Sequence, residues 1–217
     1  MPVIITGDII SSSKLVLTKR QQLLNQLFKE MFTTLRAVWR RKELLRAETV
    51  QGDAFQVYLL DNSDAVRAAL LIKCFCLAQS KIGDYYRFDC RLSIGLGKVT
   101  LLHSESLAKS GGIAFDYSGR GLKEISRTGS QLVLKARDVN WVSAVNMGLA
   151  LADELLSHCT PAQSQAVLLK LSYPTQTQDW LAGRVPIGRS AYSQRLKQAG
   201  WSALETLLAY YSEIVKQ

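Results

Sequence analysis

The feature that most limits what this chain can fold into is an apolar, β-branched run at its start. Residues 2–13 read PVIITGDIISSS, and the run stops at an aspartate followed by small hydroxyl residues. A run so short and β-branched predicts a buried strand from Val3 to Thr6, with Asp8 at its exit, where a sheet can present a carboxylate to a ligand. A second Gly-Asp pair, Gly52-Asp53 in TVQGDAFQVYLL, separates two apolar segments and predicts a hairpin with Asp53 at its tip. Taken singly, either aspartate reads best as a turn former. Taken together, they allow two strand-end carboxylates to meet.

The periodicity of the segments between them fixes the fold class. Thr18 and Gln21 have the spacing of a capping box, and apolar residues then recur at Leu24, Leu27, Phe28, Met31, Leu35, Val38 and Trp39, which predicts a long amphipathic helix. Its polar face carries Lys19, Arg20, Lys29, Arg36, Arg40, Arg41, Lys42 and Arg46 against Glu30 and Glu43, and serves equally as a solvated face or an anion-facing one. The hairpin follows over residues 47–60, with Phe55, Val57 and Leu59 alternating against polar neighbours. Asn62 or Ser63 caps a helix to about Gln79, with Ala65, Ala69, Ile72 and Phe75 on one face. Residues 88–97 predict a strand. Beyond a loop with His103, Gly111, Gly112 and Gly119 interrupt the pattern before a helix to about Arg127, and residues 131–135 form a short strand. Helices between strands, with a hairpin in the middle, point to an α+β, ferredoxin-like βαββαβ sheet rather than a doubly wound parallel one.

Composition narrows the setting. With 217 residues and 47% hydrophobic content, the chain can bury one large core or two small ones. No apolar run approaches the roughly 20 residues that span a bilayer, and no signal peptide is visible, so no membrane partner and a cytoplasmic location are expected. Cys74, Cys76, Cys90 and Cys159 lie among apolar neighbours, as buried reduced thiols do, and the isolated His103 and His158 argue against zinc. The formal charge of +9 is a hint of a polyanionic partner.

The last third has a different grammar. Residues 138–159 predict a helix with few charges, which packs on the sheet or forms a dimer seam, and Thr160-Pro161 restarts the chain as a new helix. The expected division is therefore 1–137, a connecting helix over 138–160, and a helical module over 161–217. Residues 177–196, TQDWLAGRVPIGRSAYSQRL, have the helix-turn-helix layout. Leu181 and Ala182 supply the close contact, Val185 and Ile187 bracket the turn, and Ala191, Tyr192 and Leu196 form the inner face of the second helix. Its outer side would show Arg189, Ser190, Ser193, Gln194 and Lys197, types that bond base edges and phosphates in duplex DNA, with Arg184 beside the turn. Pro186 stands where a glycine is usual. Six basic side chains, Lys170, Arg184, Arg189, Arg195, Lys197 and Lys216, face three acidic ones, Asp179, Glu205 and Glu213, so one module binds weakly and a homodimer is expected. The bland alternative is a helical bundle that contacts protein. Residues 201–215 add a last amphipathic helix.

Gly7-Asp8-Ile9, then Gly52-Asp53-Ala54-Phe55, then Arg91 to Gly97 (RLSIGLG) resemble, in order and spacing, the core motifs of class III nucleotide cyclases and, more distantly, diguanylate cyclases. Over nearly its whole length the chain resembles the SatD-like family of bacterial proteins, whose members begin with a GDI-S segment, carry GD-FQ in the middle and end in a helix-turn-helix. The resemblance implies that Asp8 and Asp53, with the carbonyl of Ile9, hold divalent magnesium or manganese, and that no organic cofactor is needed. It implies that the amides of Ser11, Ser12 and Ser13, with Arg91 and Arg120, meet a nucleotide ligand. The departure from cyclases lies at the asparagine and arginine that stabilise their transition state, which fall on Ser118 and Leu122 here; Arg120 substitutes only if the helix is shifted by two residues. The function this implies is a DNA-binding one-component transcriptional regulator whose amino-terminal domain binds a nucleotide or divalent metal without efficient turnover. The alternatives are a cyclase-like enzyme with a docking tail, or a non-catalytic interaction adaptor.

Overall fold

The computed structural model describes residues 1–10, 12, 17–40, 45–80, 87–125, 129–137 and 140–216. Strand β1 (Val3–Ile9) lies in the middle of a five-stranded sheet, antiparallel to β3 (Ala54–Leu59) on one side and to β4 (Cys90–Leu96) on the other. Beyond β3 comes β2 (Leu45–Gln51), antiparallel to it, and beyond β4 comes β7 (Leu132–Lys135), parallel to it. Helix α1 (Leu17–Val38) joins β1 to β2, α2 (Ala65–Ala78) joins β3 to β4, and α3 (Ile113–Ile125) precedes β7. This is the expected α+β, ferredoxin-like order, with β7 added at one edge. A small ribbon, β5 (Val99–Leu101) with β6 (Gly111–Gly112), forms inside the segment read as a loop around His103. Arg41, Lys42 and Glu43 lie outside the described residues.

Alternation along the strands separates two faces. Val3, Ile5 and Ile9 point into a core closed by Leu24, Phe28, Met31 and Leu35 of α1 and by α2. Ile4, Thr6 and Asp8 point the other way, where α3 lies on β4. Helix α3 approaches so closely because two residues lack side chains. A Cβ at Gly95 would stand 2.1 Å from the Ala114 carbonyl oxygen, and one at Gly121 would stand 2.2 Å from Ser93 Oγ. Gly119 therefore does not break the pattern; it lies inside α3, whose sheet-facing stripe is Ala114, Ser118, Gly121 and Ile125.

Helix α2 differs from its expected one-sided pattern. Every residue from Ala65 to Leu77 except Arg67 is buried, because the sheet covers one side and α5 (Pro161–Ser172) the other. Helix α1 starts at Leu17, one residue ahead of the Thr18 expected to cap it. Helix α4 (Val142–Ser157), shorter than the 138–159 expected, runs beside β7 and closes its free edge: Asn146 accepts from the Leu134 N–H at 2.7 Å and donates to the Leu134 carbonyl at 2.9 Å. Helices α6 (Gln178–Gly183), α7 (Arg189–Gln198) and α8 (Trp201–Ile214) complete the chain and share one core with α2 and α4. Arg67 of α2 donates to the Leu171 carbonyl at 2.8 Å and to that of Ser172 at 3.5 Å, satisfying the end of α5. The Tyr211 hydroxyl donates to the Asn62 carbonyl at 2.9 Å. Among the described residues, no helix is long and apolar enough to cross a membrane.

One charge sits in the middle of this packing. Lys73, on α2, is wholly buried, 2.7 Å from Asp89 Oδ1 and 2.8 Å from Asp153 Oδ1 of α4, and it donates to the Cys90 carbonyl at 3.2 Å. The Asp153 contact is a charge contact rather than an aligned hydrogen bond; the other oxygen of that carboxylate accepts from the Gln131 N–H at 2.7 Å. Burial alone would lower the pKa of Lys73, yet Asp89 and Asp153 hold it above the ordinary lysine value. All four cysteines are buried free thiols, as the sequence predicts. Lys73→Met leaves two carboxylates unpaired and should cost about 3–5 kcal/mol of stability in urea unfolding, whereas adding Asp89→Asn and Asp153→Asn should restore much of the loss.

Candidate functional site

Register brings the two expected aspartates to one end of the sheet. Asp8 lies opposite Ala54 of β3, the residue after Asp53, and the Ile9 N–H donates to the Asp53 carbonyl at 3.2 Å. On its other side Asp8 lies opposite Arg91 of β4. Cross-strand neighbours share a face, so the guanidinium meets the carboxylate squarely: Arg91 Nε donates to Asp8 Oδ1 at 2.8 Å and Nη2 to Oδ2 at 2.5 Å. The bonds it donates to Asp8 raise the pKa of Arg91, against a burial that lowers it, and the charges of Asp8 and Asp53 add to the rise. Arg91 is therefore held by Asp8, with the charge of Asp53 acting in the same sense.

Asp53 has its own partners. Ser12 Oγ donates to its Oδ2, Arg20 of α1 stands 3.8 Å from the same oxygen, and Arg20 donates to Ser12 Oγ at 3.0 Å. Arg20 belongs to this cluster although its sequence pattern marks it only as a residue of the polar face. Ser11 and Ser13 lie outside the described residues. Ile9 contributes backbone alone, its side chain being buried in the core.

Two aspartates and two arginines give a charge-balanced cluster. Among the described residues, no group of three or more His, Cys, Asp or Glu side chains could hold a metal. The donor set fits magnesium or manganese in one way: one or two carboxylates with the remaining positions filled by phosphate oxygens and water, the habit of magnesium at nucleotide sites. In the structure the positive charge at the cluster comes from the guanidiniums of Arg91 and Arg20.

Helix α3 presents little to this cluster. Ser118 is buried and bonds Thr6 Oγ1 at 2.8 Å and the Phe115 carbonyl at 3.1 Å, while Leu122 is half-buried one turn on. Arg120 stands exposed, about 200° around the helix from Ser118, and is not brought together with Asp8 and Asp53.

A second constellation lies on the carboxy-terminal helices. Helix α6 is capped by the Thr177 hydroxyl, a turn over residues 184–188 follows, and α7 begins after Gly188. Tyr192 and Leu196 anchor α7, the Tyr192 hydroxyl donating to the Ala166 carbonyl at 2.8 Å while burial pushes its pKa well above the usual phenol value. Ala191, expected on this inner face, is exposed; Ala199 takes the inner position instead. Arg189, Ser190, Ser193, Gln194 and Lys197 share the outer side and, with Gln178 of α6, line a shallow depression of 530 Å³. Arg189 lies 3.6 Å from Asp179, an exposed pair that constrains it little. Arg184 stands apart, its guanidinium 4.3 Å over the Trp180 ring, which Tyr173 meets edge-on at 5.0 Å. Gln178 and Trp180 were not legible as part of this surface, since their roles follow from how α6 meets α7.

No family model matches the sequence, and no curated protein matches it. Among solved structures, one described as a bacterial light-regulated adenylyl cyclase is similar at a TM-score of 0.46 and 18% identity, over 61% of this chain and 74% of that chain.

The pairing of Asp8 with Arg91 is directly measurable. A double-mutant cycle on Asp8→Asn and Arg91→Gln, read by urea unfolding, should give a coupling of about 1 kcal/mol that shrinks in high salt, as a well-aligned pair with partial exposure does.

Proposed function

We propose that this protein is a DNA-binding regulator whose α+β part holds a phosphate-bearing nucleotide with magnesium or manganese and does not turn it over efficiently. The observation that carries the reading is the outer side of α7. Arg189, Ser190, Ser193, Gln194 and Lys197 project together from a helix whose opposite side is fixed by Tyr192 and Leu196. A helix held in this way can enter the major groove with donors and acceptors facing base edges, and Arg184, steadied on Trp180, would meet the phosphate backbone. The order of motifs resembling SatD-like proteins supports the same division of labour.

At the other site, Asp8 and Asp53 would ligate the ion, and Arg91 and Arg20 would turn from the carboxylates to phosphate oxygens. A bound divalent ion would supply charge neutralisation between phosphates and carboxylates. Efficient turnover is disfavoured because the α3 positions aligned with transition-state groups are a buried serine and an apolar leucine, while Arg120 faces outward.

Selection of duplexes from random sequence with the purified protein should enrich a site, and its affinity should fall steeply with salt. Arg189→Ala or Gln194→Ala should cost about 1–3 kcal/mol of discrimination between sequences, whereas Lys197→Ala should weaken all sequences alike. No enriched duplex, with neither class of substitution altering DNA binding, removes the regulator reading. Separately, nucleoside triphosphates with magnesium or manganese should raise the melting temperature by a few degrees, an effect lost in Asp53→Ala, while cyclic product stays at background. Robust product formation abolished by Asp53→Ala would replace binding with catalysis.

A further inference from the structure

Helices α4 and α8 leave between them an open groove of 630 Å³ lined by Met147, Gly148, Leu151, Leu155, Leu207, Tyr210 and their neighbours, with no charged residue among them. At its floor Gly148 makes room for Leu207 of α8: a Cβ there would stand 2.6 Å from Leu207 Cδ1. On its α4 rim, Met147 and Leu151 stand 66% and 62% exposed, one turn apart, and Leu155 and Tyr210 are 37% and 39% exposed.

We propose that this groove is the interface through which two copies of the chain associate about a twofold axis. Shape is the first argument. A twofold interface needs one patch that fits itself, and this patch holds both a ridge, Met147 with Leu151, and a furrow between α4 and α8 that can receive the same ridge from the other copy. Extent is the second. Taking about 200 Å² for a large side chain, the four exposed residues offer on the order of 400 Å², half of the roughly 800 Å² per partner of a standard interface. The small and apolar residues between them add to it. Charge is the third. Two copies that each carry +9 approach best through a surface with no charge of its own, and the groove is such a surface.

A small apolar ligand fits less well. Ligand pockets carry a few polar groups that orient the guest; here the Thr206 hydroxyl is already given to the Ser202 carbonyl at 2.9 Å, which leaves the Tyr210 hydroxyl as the other polar side-chain group of the lining. The proposal rests on the groove itself and stands whether or not α7 binds DNA.

Sedimentation of the full chain at micromolar concentrations should give twice the chain mass. Met147→Gln with Leu151→Gln should return the single-chain mass with unchanged circular dichroism, because both side chains are exposed in the free subunit. Leu101→Gln, at 57% exposure outside the groove, should leave the pair intact. A single-chain mass for the unaltered protein up to about 100 µM, a pair that survives the double substitution, or a pair broken equally by Leu101→Gln would overturn the proposal. So would a single-chain protein stabilised by a long-chain fatty acid, which would make the groove a ligand site.

Discussion

A lone ammonium inside the protein holds the sheet and the helical part in register. Lys73 takes one charge from α2 into a fully buried place, and meets carboxylates from the entry to β4 and from α4. A buried charge is tolerated only where partners arrive from the surrounding elements, so this point is formed only when α2, β4 and α4 are all in place. The surrounding apolar contacts tolerate small shifts. The ion cluster depends on distances of 2.7 and 2.8 Å, so it is more sensitive to how these elements meet.

The same economy of position explains where the candidate site lies. Parity along β1 sends Val3, Ile5 and Ile9 to the core and leaves Thr6 and Asp8 on the opposite side. Parity along β4 does the same for Arg91 and Ser93. The cluster of Asp8, Asp53, Arg91, Arg20 and Ser12 therefore forms where the exit of β1, the β2–β3 turn, the entry of β4 and the first turn of α1 converge. Asp8, Ser12 and Arg20 come from one stretch of the chain, whereas Asp53 and Arg91 are distant from it and from each other, so the pairing of β1 with β3 and β4 assembles the site.

Local pattern made much of this legible. The strand and helix order followed from periods of 2 and 3.6 residues, and Asp8 with Asp53 stood out because a carboxylate at a strand exit is a local event. What escaped was non-local. Helix α2 looked one-sided because covering by α5 is not written in its own sequence. Gly119 looked like a break, although glycine is what lets α3 lie against β4 at Gly121 and Gly95. The pairing of Arg91 with Asp8 depended on register, and the exposure of Ala191 depended on how α7 sits against α5 and α6. Lys73 could have been found, since a lysine within AALLIKCFCLA demands buried acidic partners.

The bonds from Arg67 to the last carbonyls of α5, and from Tyr211 to Asn62, bear on how such a protein could be taken apart or inherited. Cutting the chain at Thr160 would strip one flank of α2 and open the aliphatic surface now under α5 to water. The amino-terminal piece would then expose an adhesive stripe, and the carboxy-terminal piece would lose the wall on which it is assembled. Recombination at the visible change of sequence style would yield halves that each leave their side of the α2–α5 contact open.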